Sequence, residues 1–308
     1  MAKMAVNLGG MQMKNPITVA SGTFAYGQEY AQFFDLSRLG AITVKGIRAC
    51  PWQGNPLPRH AEVPGGMINA IGLQGPGVEA FIRDDMPFLV EHNAPTIVNI
   101  WGTSIDEYAE VAAAFTGVEG VIGLEINVSC PNVKEGGASF GTQVDTFTEV
   151  VRAVRAATPL PIMPKLAPNV PDVKPFVRAA QAAGANAVAL INTVPAMAVD
   201  IETRRPILAN TFGGLSGAGI HPIAVKHVYE AAQVAEVPLL AMGGVFTAKD
   251  ALDFILVGAT AVAVGTATFM DPCAPIKILE EMEAWLDAHG IADVNDFRGT
   301  LEKPLRKL

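Results

Sequence analysis

Pro238-Leu-Leu-Ala-Met-Gly-Gly-Val-Phe-Thr-Ala-Lys-Asp-Ala-Leu-Asp-Phe-Ile-Leu-Val-Gly-Ala-Thr-Ala-Val-Ala-Val-Gly-Thr266 contains the structural unit from which the rest of the chain can be read. Pro238–Met242 and Ala261–Val264 are short apolar runs with little alternation, the pattern of strands covered on both faces. Ala248–Leu256 between them has helical periodicity. Two strands joined by a helix predict a parallel pair. Each run stops at glycine: Gly243-Gly244 after the first, Gly265-Thr266 after the second.

Upstream the same unit recurs. Apolar runs stand at Ile17–Ala20, Ala41–Val44, Thr96–Trp101, Val121–Val128, Ile162–Leu166 and Ala187–Ile191. Helical patterns include Ser104–Phe115, Val144–Ala157, Asp172–Ala183, Ile223–Ala235 and Pro275–Ala288. Ser104 and Glu107 have the spacing of a capping box. Eight strands alternating with eight helices predict an α/β fold closed as a (β/α)8 TIM barrel, a single domain over 1–308. Asn7–Asn15, with its Gly-Gly turn, reads as a hairpin capping the barrel floor. An open doubly wound sheet is the alternative, but Ala20-Ser-Gly-Thr-Phe24 lacks the Gly-x-Gly-x-x-Gly turn such sheets carry after the first strand.

Composition narrows the function. A formal net charge of −8 argues against a nucleic-acid or anionic-membrane surface, which needs a basic patch. The most membrane-like stretch, Phe254–Met270, is interrupted by Gly258, Thr260, Gly265, Thr266 and Thr268. It reads as a helix end followed by a buried strand, and the opening residues lack the apolar core of a signal peptide. Cys50, Cys130 and Cys273 are widely spaced and odd in number, so neither a disulfide framework nor a Cys-x-x-Cys metal site is visible. The expectation is a soluble, cytoplasmic protein.

Barrel active sites lie at the carboxyl ends of the strands. Those ends read Ser21-Gly22, Lys45-Gly46, Asn99, Asn127 to Cys130, Lys165, Asn192-Thr193, Gly243-Gly244 and Gly265-Thr266. So many polar endings imply a broad polar pocket, large enough for a cofactor and a small substrate. The glycines after the last two strands allow backbone N–H groups to approach a phosphate, although glycine also serves in plain tight turns. Gly213-Gly-Leu-Ser-Gly217 could close over the same phosphate.

Lys45 and Lys165 each end an apolar strand and are expensive to bury without an anion. Glu125, two residues before Asn127, points inward one layer lower, and we read it as a partner for a lysine rather than as a catalytic acid. The five histidines show no ligand spacing, so no metal site is expected, and paired-carboxylate hydrolysis is equally unsupported. A lone cysteine is usually a small buried hydrophobe. Cys130 differs in following strand four among polar neighbours and entering a loop with Gly136-Gly137.

Asn127-Val-Ser-Cys130-Pro-Asn132-Val-Lys-Glu-Gly-Gly137 resembles the catalytic loop of class 1B dihydroorotate dehydrogenases. Asn69-Ala-Ile-Gly-Leu-Gln74 is similar to their substrate loop. Ile191-Asn-Thr193, Ile207-Leu-Ala-Asn210 with Gly213–Gly217, and Ala263-Val-Gly-Thr-Ala267 match as well. The similarity runs from about Val6 to about His289, with its motifs in order. Class 1A relatives continue the cysteine loop with a Pro-Gly-Lys type sequence, unlike Val133-Lys-Glu-Gly-Gly137.

The resemblance implies FMN contacts at Ser21, Lys45, Gly46, Asn99, Asn127, Lys165, Ile191, Gly217, Gly243, Gly244, Gly265 and Thr266. It implies substrate contacts at Lys45, Asn69, Ala70, Ile71, Gly72, Leu73, Asn127, Asn132, Asn192 and Thr193, with Cys130 as catalytic base. Dihydroorotate would lose its C5 proton to Cys130 and its C6 hydride to the flavin. The asparagines suit a ring of amide donors and acceptors, Lys45 would offset the substrate carboxylate, and Lys165 would stabilise reduced flavin. Three scattered cysteines cannot hold a four-cysteine cluster, and no dinucleotide fingerprint is present. The resemblance therefore implies a partner subunit carrying FAD and [2Fe-2S] that passes electrons to NAD. The implied assembly is a homodimer core within a heterotetramer of two catalytic and two electron-transfer subunits.

The family pattern is interrupted at Pro164, which removes a ladder donor and predicts a local bulge beside Lys165. Rival readings are a dihydropyrimidine dehydrogenase-like FMN enzyme, a flavin-free phosphate-binding aldolase or isomerase, and a non-catalytic barrel.

Overall fold

Runs of Val and Ile that bury both faces have to be covered on both sides, and the chain meets this by closing them into a cylinder. The computed structural model describes residues 1–128 and 140–302. Its barrel strands are β1 (Ile17–Val19), β2 (Ile42–Ile47), β3 (Thr96–Ile100), β4 (Val121–Asn127), β5 (Ile162–Leu166), β6 (Val188–Leu190), β7 (Leu239–Met242) and β8 (Ala261–Val264). They are parallel and follow one another in order from β2 to β8, with β8 returning to β1 in the register Val264↔Val19. The β1–β2 seam is drawn together by the Gly40 N–H donating to Ile17 O at 2.9 Å and by the Thr18 and Thr43 hydroxyls at 3.3 Å. The chain is a TIM barrel.

Helices cover the outside. In Val144–Ala157, Phe147, Val150, Val151 and Val154 form one buried stripe. Burying each such side chain stabilises by roughly 1.5–3 kcal/mol over leaving it exposed. Helix Ala248–Leu256 starts from Thr247, whose hydroxyl accepts from the Asp250 N–H while the Asp250 carboxylate accepts from the Thr247 N–H. The box expected at Ser104 forms only by half. Ser104 Oγ accepts from the Glu107 N–H, but Glu107 turns to the Thr103 N–H and hydroxyl and to Arg48. The eight helices expected are not all present, because only turns and the 3-10 segment Leu36–Arg38 join β1 to β2. Among the described residues no helix is long and apolar enough to cross a membrane.

At the amino ends of the strands, Val6–Leu8 and Met11–Met13 form the expected floor hairpin. Gly9 lies against the Asn186 carbonyl, where a Cβ would stand 2.0 Å from the oxygen, and Met11 fills the notch left by Gly123. The bulge expected at Pro164 does not form, since Glu125↔Met163, Ile126↔Pro164 and Asn127↔Lys165 pair without a shift. Ile162 and Leu166 both offer their carbonyls on the β6 side, so Pro164, of the same parity, withholds its donor from β6 and leaves the β4 ladder whole. A register shift falls instead between Val44 and Ile47 of β2, where the Lys45 N–H leaves the ladder for Ala25 O. Shifts of this kind re-aim side chains at sites.

Over the carboxyl ends lies a sheet of segments to which the sequence assigns no strands. Its antiparallel strands are Val194–Ala196, Gly213–Ser216, Gly66–Asn69 and His60–Val63, in that order. Ala61, Val63, Ile68 and Ala70 on its outer face pack with Leu208 into a small separate core.

Candidate functional site

The base of the site comes from β3, β4 and β5, whose register sets Asn99 beside Glu125 and Asn127 beside Lys165. All four are buried, Glu125 completely. Lys165 Nζ is 3.5 Å from Glu125 Oε1, which also accepts from Asn99 Nδ2 at 2.5 Å. Asn127 Nδ2 donates to Asn99 Oδ1 at 3.4 Å, and the Tyr108 hydroxyl fixes the Asn127 carbonyl at 2.7 Å. Glu125 is therefore the counter-ion of Lys165, as the sequence reading has it. Two buried oxygens, Glu125 Oε2 and Asn127 Oδ1, have no hydrogen-bond partner among the described residues. Gly46 lets this network reach the strand ends, since a Cβ there would lie 2.9 Å from Asn99 Oδ1.

Across the mouth, β7 and β8 end in a glycine cradle. Gly243 and Gly244 have φ of +128° and +70°, a region open to glycine at little cost. A Cβ on Gly244 would stand 2.7 Å from His221 Cβ and 2.9 Å from Gly217 O. Close beside them, Thr266 Oγ1 donates to Ser216 Oγ at 2.8 Å. Backbone amides bare of side chains, flanked by hydroxyls, suit an anion such as phosphate.

Base, cradle and roof enclose one cavity of about 480 Å³, within the ordinary range for cofactor and ligand sites. Of the residues singled out for a cofactor, Ser21, Lys45, Gly46, Asn99, Asn127, Lys165, Ile191, Gly243, Gly244, Gly265 and Thr266 line it. Asn69, Ile71, Gly72, Leu73, Asn192 and Thr193 line it too, from the substrate set. Gly217 stands behind the lining, where its own Cβ would meet Gly66 Cα at 2.5 Å. Ala70 faces the outer core of the roof, as strand alternation from Asn69 requires. Cys130 and Asn132 lie outside the described residues.

Sequence reasoning missed His60, Glu62 and Met67, which the roof brings over the cavity, and Phe269 at its rim. The alternation of polar and apolar residues in His60-Ala-Glu-Val63 is the one local signal of that strand. It also missed a grouping of His221, Asp250 and Asp253, whose ligand-type atoms come within 4.8 Å of one another. There His221 Nδ1 lies 3.1 Å from Gly243 O, and Lys249 Nζ already provides a cation 2.7 Å from Asp253 Oδ2.

Residues 3–286 match the family model described as dihydroorotate dehydrogenase. A Pelobacter propionicus protein is 50% identical over 299 residues, covering 97% of this chain and 98% of its own length. A Desulforudis audaxviator protein is 50% identical over 301 residues, covering 98% of each. A Geobacter protein is 50% identical over 299 residues, with 97% and 98% covered. All three are named dihydroorotate dehydrogenase B (NAD(+)), catalytic subunit. A match across nearly the whole chain, on a barrel whose polar strand ends converge on one cavity, places this chain in the dihydroorotate dehydrogenase family.

Proposed function

We propose that the chain is the catalytic subunit of an NAD-linked dihydroorotate dehydrogenase, a single barrel domain that oxidises dihydroorotate to orotate in pyrimidine biosynthesis with FMN bound in the cavity. The observation that carries this is the opposition, across one cavity, of a bare glycine cradle and a buried lysine set among amides. The residues fit FMN. Gly243 and Gly244 leave room that a side chain would fill, and Asn127 Oδ1 is a buried acceptor that meets no donor among the described residues. Gly243, Gly244, Gly265 and Thr266 would hold the phosphate, and Lys165 with Asn99 and Asn127 the polar edge of the ring system. When bound, the cofactor supplies hydride acceptance from C6.

The chain's own side chains do the rest. Glu125 holds Lys165 Nζ in place as a fixed positive charge beside the ring. Asn69, Asn127 and Asn192 line the substrate side and offer amide donors and acceptors, joined in this reading by Asn132. Lys45 meets the substrate carboxylate. Cys130 takes the C5 proton as thiolate, so turnover rises with pH toward the ordinary thiol value of about 8.5. The relatives are named catalytic subunits, which supports a further subunit, to which we assign electron transfer with FAD and [2Fe-2S] in a two-plus-two cytoplasmic assembly.

Dihydroorotate oxidation with a dye acceptor tests the reading, read together with the flavin absorption of the purified protein. Cys130→Ala should nearly abolish turnover with flavin retained, and Cys130→Ser should be slow with an optimum at higher pH. Full activity in the alanine variant removes Cys130 from the mechanism. Perturbation of the flavin spectrum by uracil but not orotate would point to a dihydropyrimidine enzyme.

A further inference from the structure

Behind the segment Asn69 to Leu73, on the side away from the cavity, stands a second layer of side chains. Gly72 and Leu73 both have left-handed backbone, with φ of +76° and +59°. A left-handed leucine is uncommon and persists only where its surroundings over-determine it. The gain is position. Leu73 points into the cavity, its Cδ2 3.4 Å from where a Gly46 Cβ would stand.

The surroundings that hold this turn come from residues 48–55. Trp52 Nε1 donates to the Gly72 carbonyl at 2.9 Å, and Trp52 exchanges backbone hydrogen bonds with Gly75 at 2.9 and 3.0 Å. Asn55 donates from its backbone to Ile71 O and from Nδ2 to Ala70 O, each at 3.0 Å. Trp52 is itself held. The Arg48 guanidinium carbon lies 5.0 Å from the centroid of Trp52 and 4.8 Å from that of Trp101, close enough to both rings for cation–π attraction. Arg48 Nε donates to Glu107 Oε1 at 2.7 Å, with both side chains largely buried. Burial pushes the Glu107 carboxyl up, but Arg48 and the Thr103 N–H and hydroxyl outweigh it and hold the group below the ordinary range.

We infer that Trp52, oriented by Arg48, is a positioning residue for the substrate, holding the Gly72 carbonyl so that Ile71 and Leu73 keep their places in the cavity. The inference rests on the reading of Asn69 to Leu73 as the substrate segment. Trp52→Phe keeps an aromatic ring beside Arg48 and removes the N–H. Arg48→Lys keeps the charge opposite Glu107 and loses the planar group that lies against both rings.

Both variants are assayed as flavin-loaded protein with dihydroorotate and a dye acceptor, alongside Asn69→Ala. For Trp52→Phe the expected result is a KM for dihydroorotate raised about 3- to 10-fold, as the loss of one hydrogen bond to an ordered loop predicts. The value of kcat should stay within about twofold, with flavin content and Tm unchanged. Arg48→Lys should move KM in the same direction. If Asn69→Ala raises KM while Trp52→Phe and Arg48→Lys leave it at the wild-type value, the role of Trp52 is refuted. A fall in Tm or flavin content that accounts for the change in KM refutes it as well, leaving only a fold-stabilising role. If Asn69→Ala leaves KM untouched, it is the substrate segment itself that has been misread.

Discussion

Glu125→Gln removes a fully buried negative charge while leaving a side chain of nearly the same shape between Asn99 and Lys165. At the observed 3.5 Å, the attraction between the Lys165 and Glu125 charges is about 5 kcal/mol if the effective dielectric is about 20. The glutamine variant recovers part of this, because the carboxylate no longer has to be desolvated. What remains is the cost of a buried ammonium without its counter-ion, and breaking such pairs typically destabilises by about 3–5 kcal/mol. The expected loss is therefore about 3 kcal/mol. It is read in urea unfolding of the flavin-free protein as a lower midpoint with an unchanged slope. Lys165→Met should cost a similar amount by stranding Glu125, and the double variant should recover most of both losses, since neither charge is then left buried without its partner. If Glu125→Gln unfolds within 1 kcal/mol of wild type, and the two changes add without coupling, Glu125 is not the counter-ion of Lys165.

Gly244→Ala would place a Cβ 2.7 Å from His221 Cβ on a backbone with φ of +70°. The variant should purify colourless with an unaltered far-UV circular dichroism spectrum, and flavin retained in full would exclude the glycine cradle as the anion site. Burial holds His227 below its ordinary value, with Lys226 adding to the effect and Glu230 opposing it. The folded protein thus takes up this proton less readily than the unfolded chain. Stability is fully present above the ordinary value of about 6.5 and is lost as pH falls through the window below it. A plot of Tm against pH should therefore drop more steeply for wild type than for His227→Leu between pH 6.5 and 5, and parallel curves would contradict it.

Much of the barrel was legible because β3, β7 and β8 are written in residues that can only be buried on both faces. Once the strands were placed, their ends named the polar residues of the cavity. The roof was not legible, for a physical reason. Gly213–Ser216 has little strand propensity of its own and becomes a strand because Gly66–Asn69 lies beside it, far away in sequence. For the same reason Ala70 could not be told from Asn69 and Ile71, since facing outward depends on a sheet not yet inferred. Pro164 misled because its missing donor was assigned to no particular neighbour, and the parity of Ile162 and Leu166 directs it toward β6. Nothing local in the sequence announces the place of Arg48 beside Trp52, Trp101 and Glu107.

The roof has a consequence for how the protein is made. Its central pairing, Ile68 with Leu215, joins the first quarter of the chain to the last third, and β1 meets its neighbour β8 only when Val262, Ala263 and Val264 are in place. On the ribosome, a chain that has emerged only as far as β5 has the polar base of the site and two strands of the roof, but neither the cradle nor the rest of the cover. Such distant pairings are slow to form and leave apolar edges exposed meanwhile. On the proposed function, flavin loading comes late in biogenesis, when β7 and β8 have been made, and the arriving cofactor would tie the first strand of the barrel to the last.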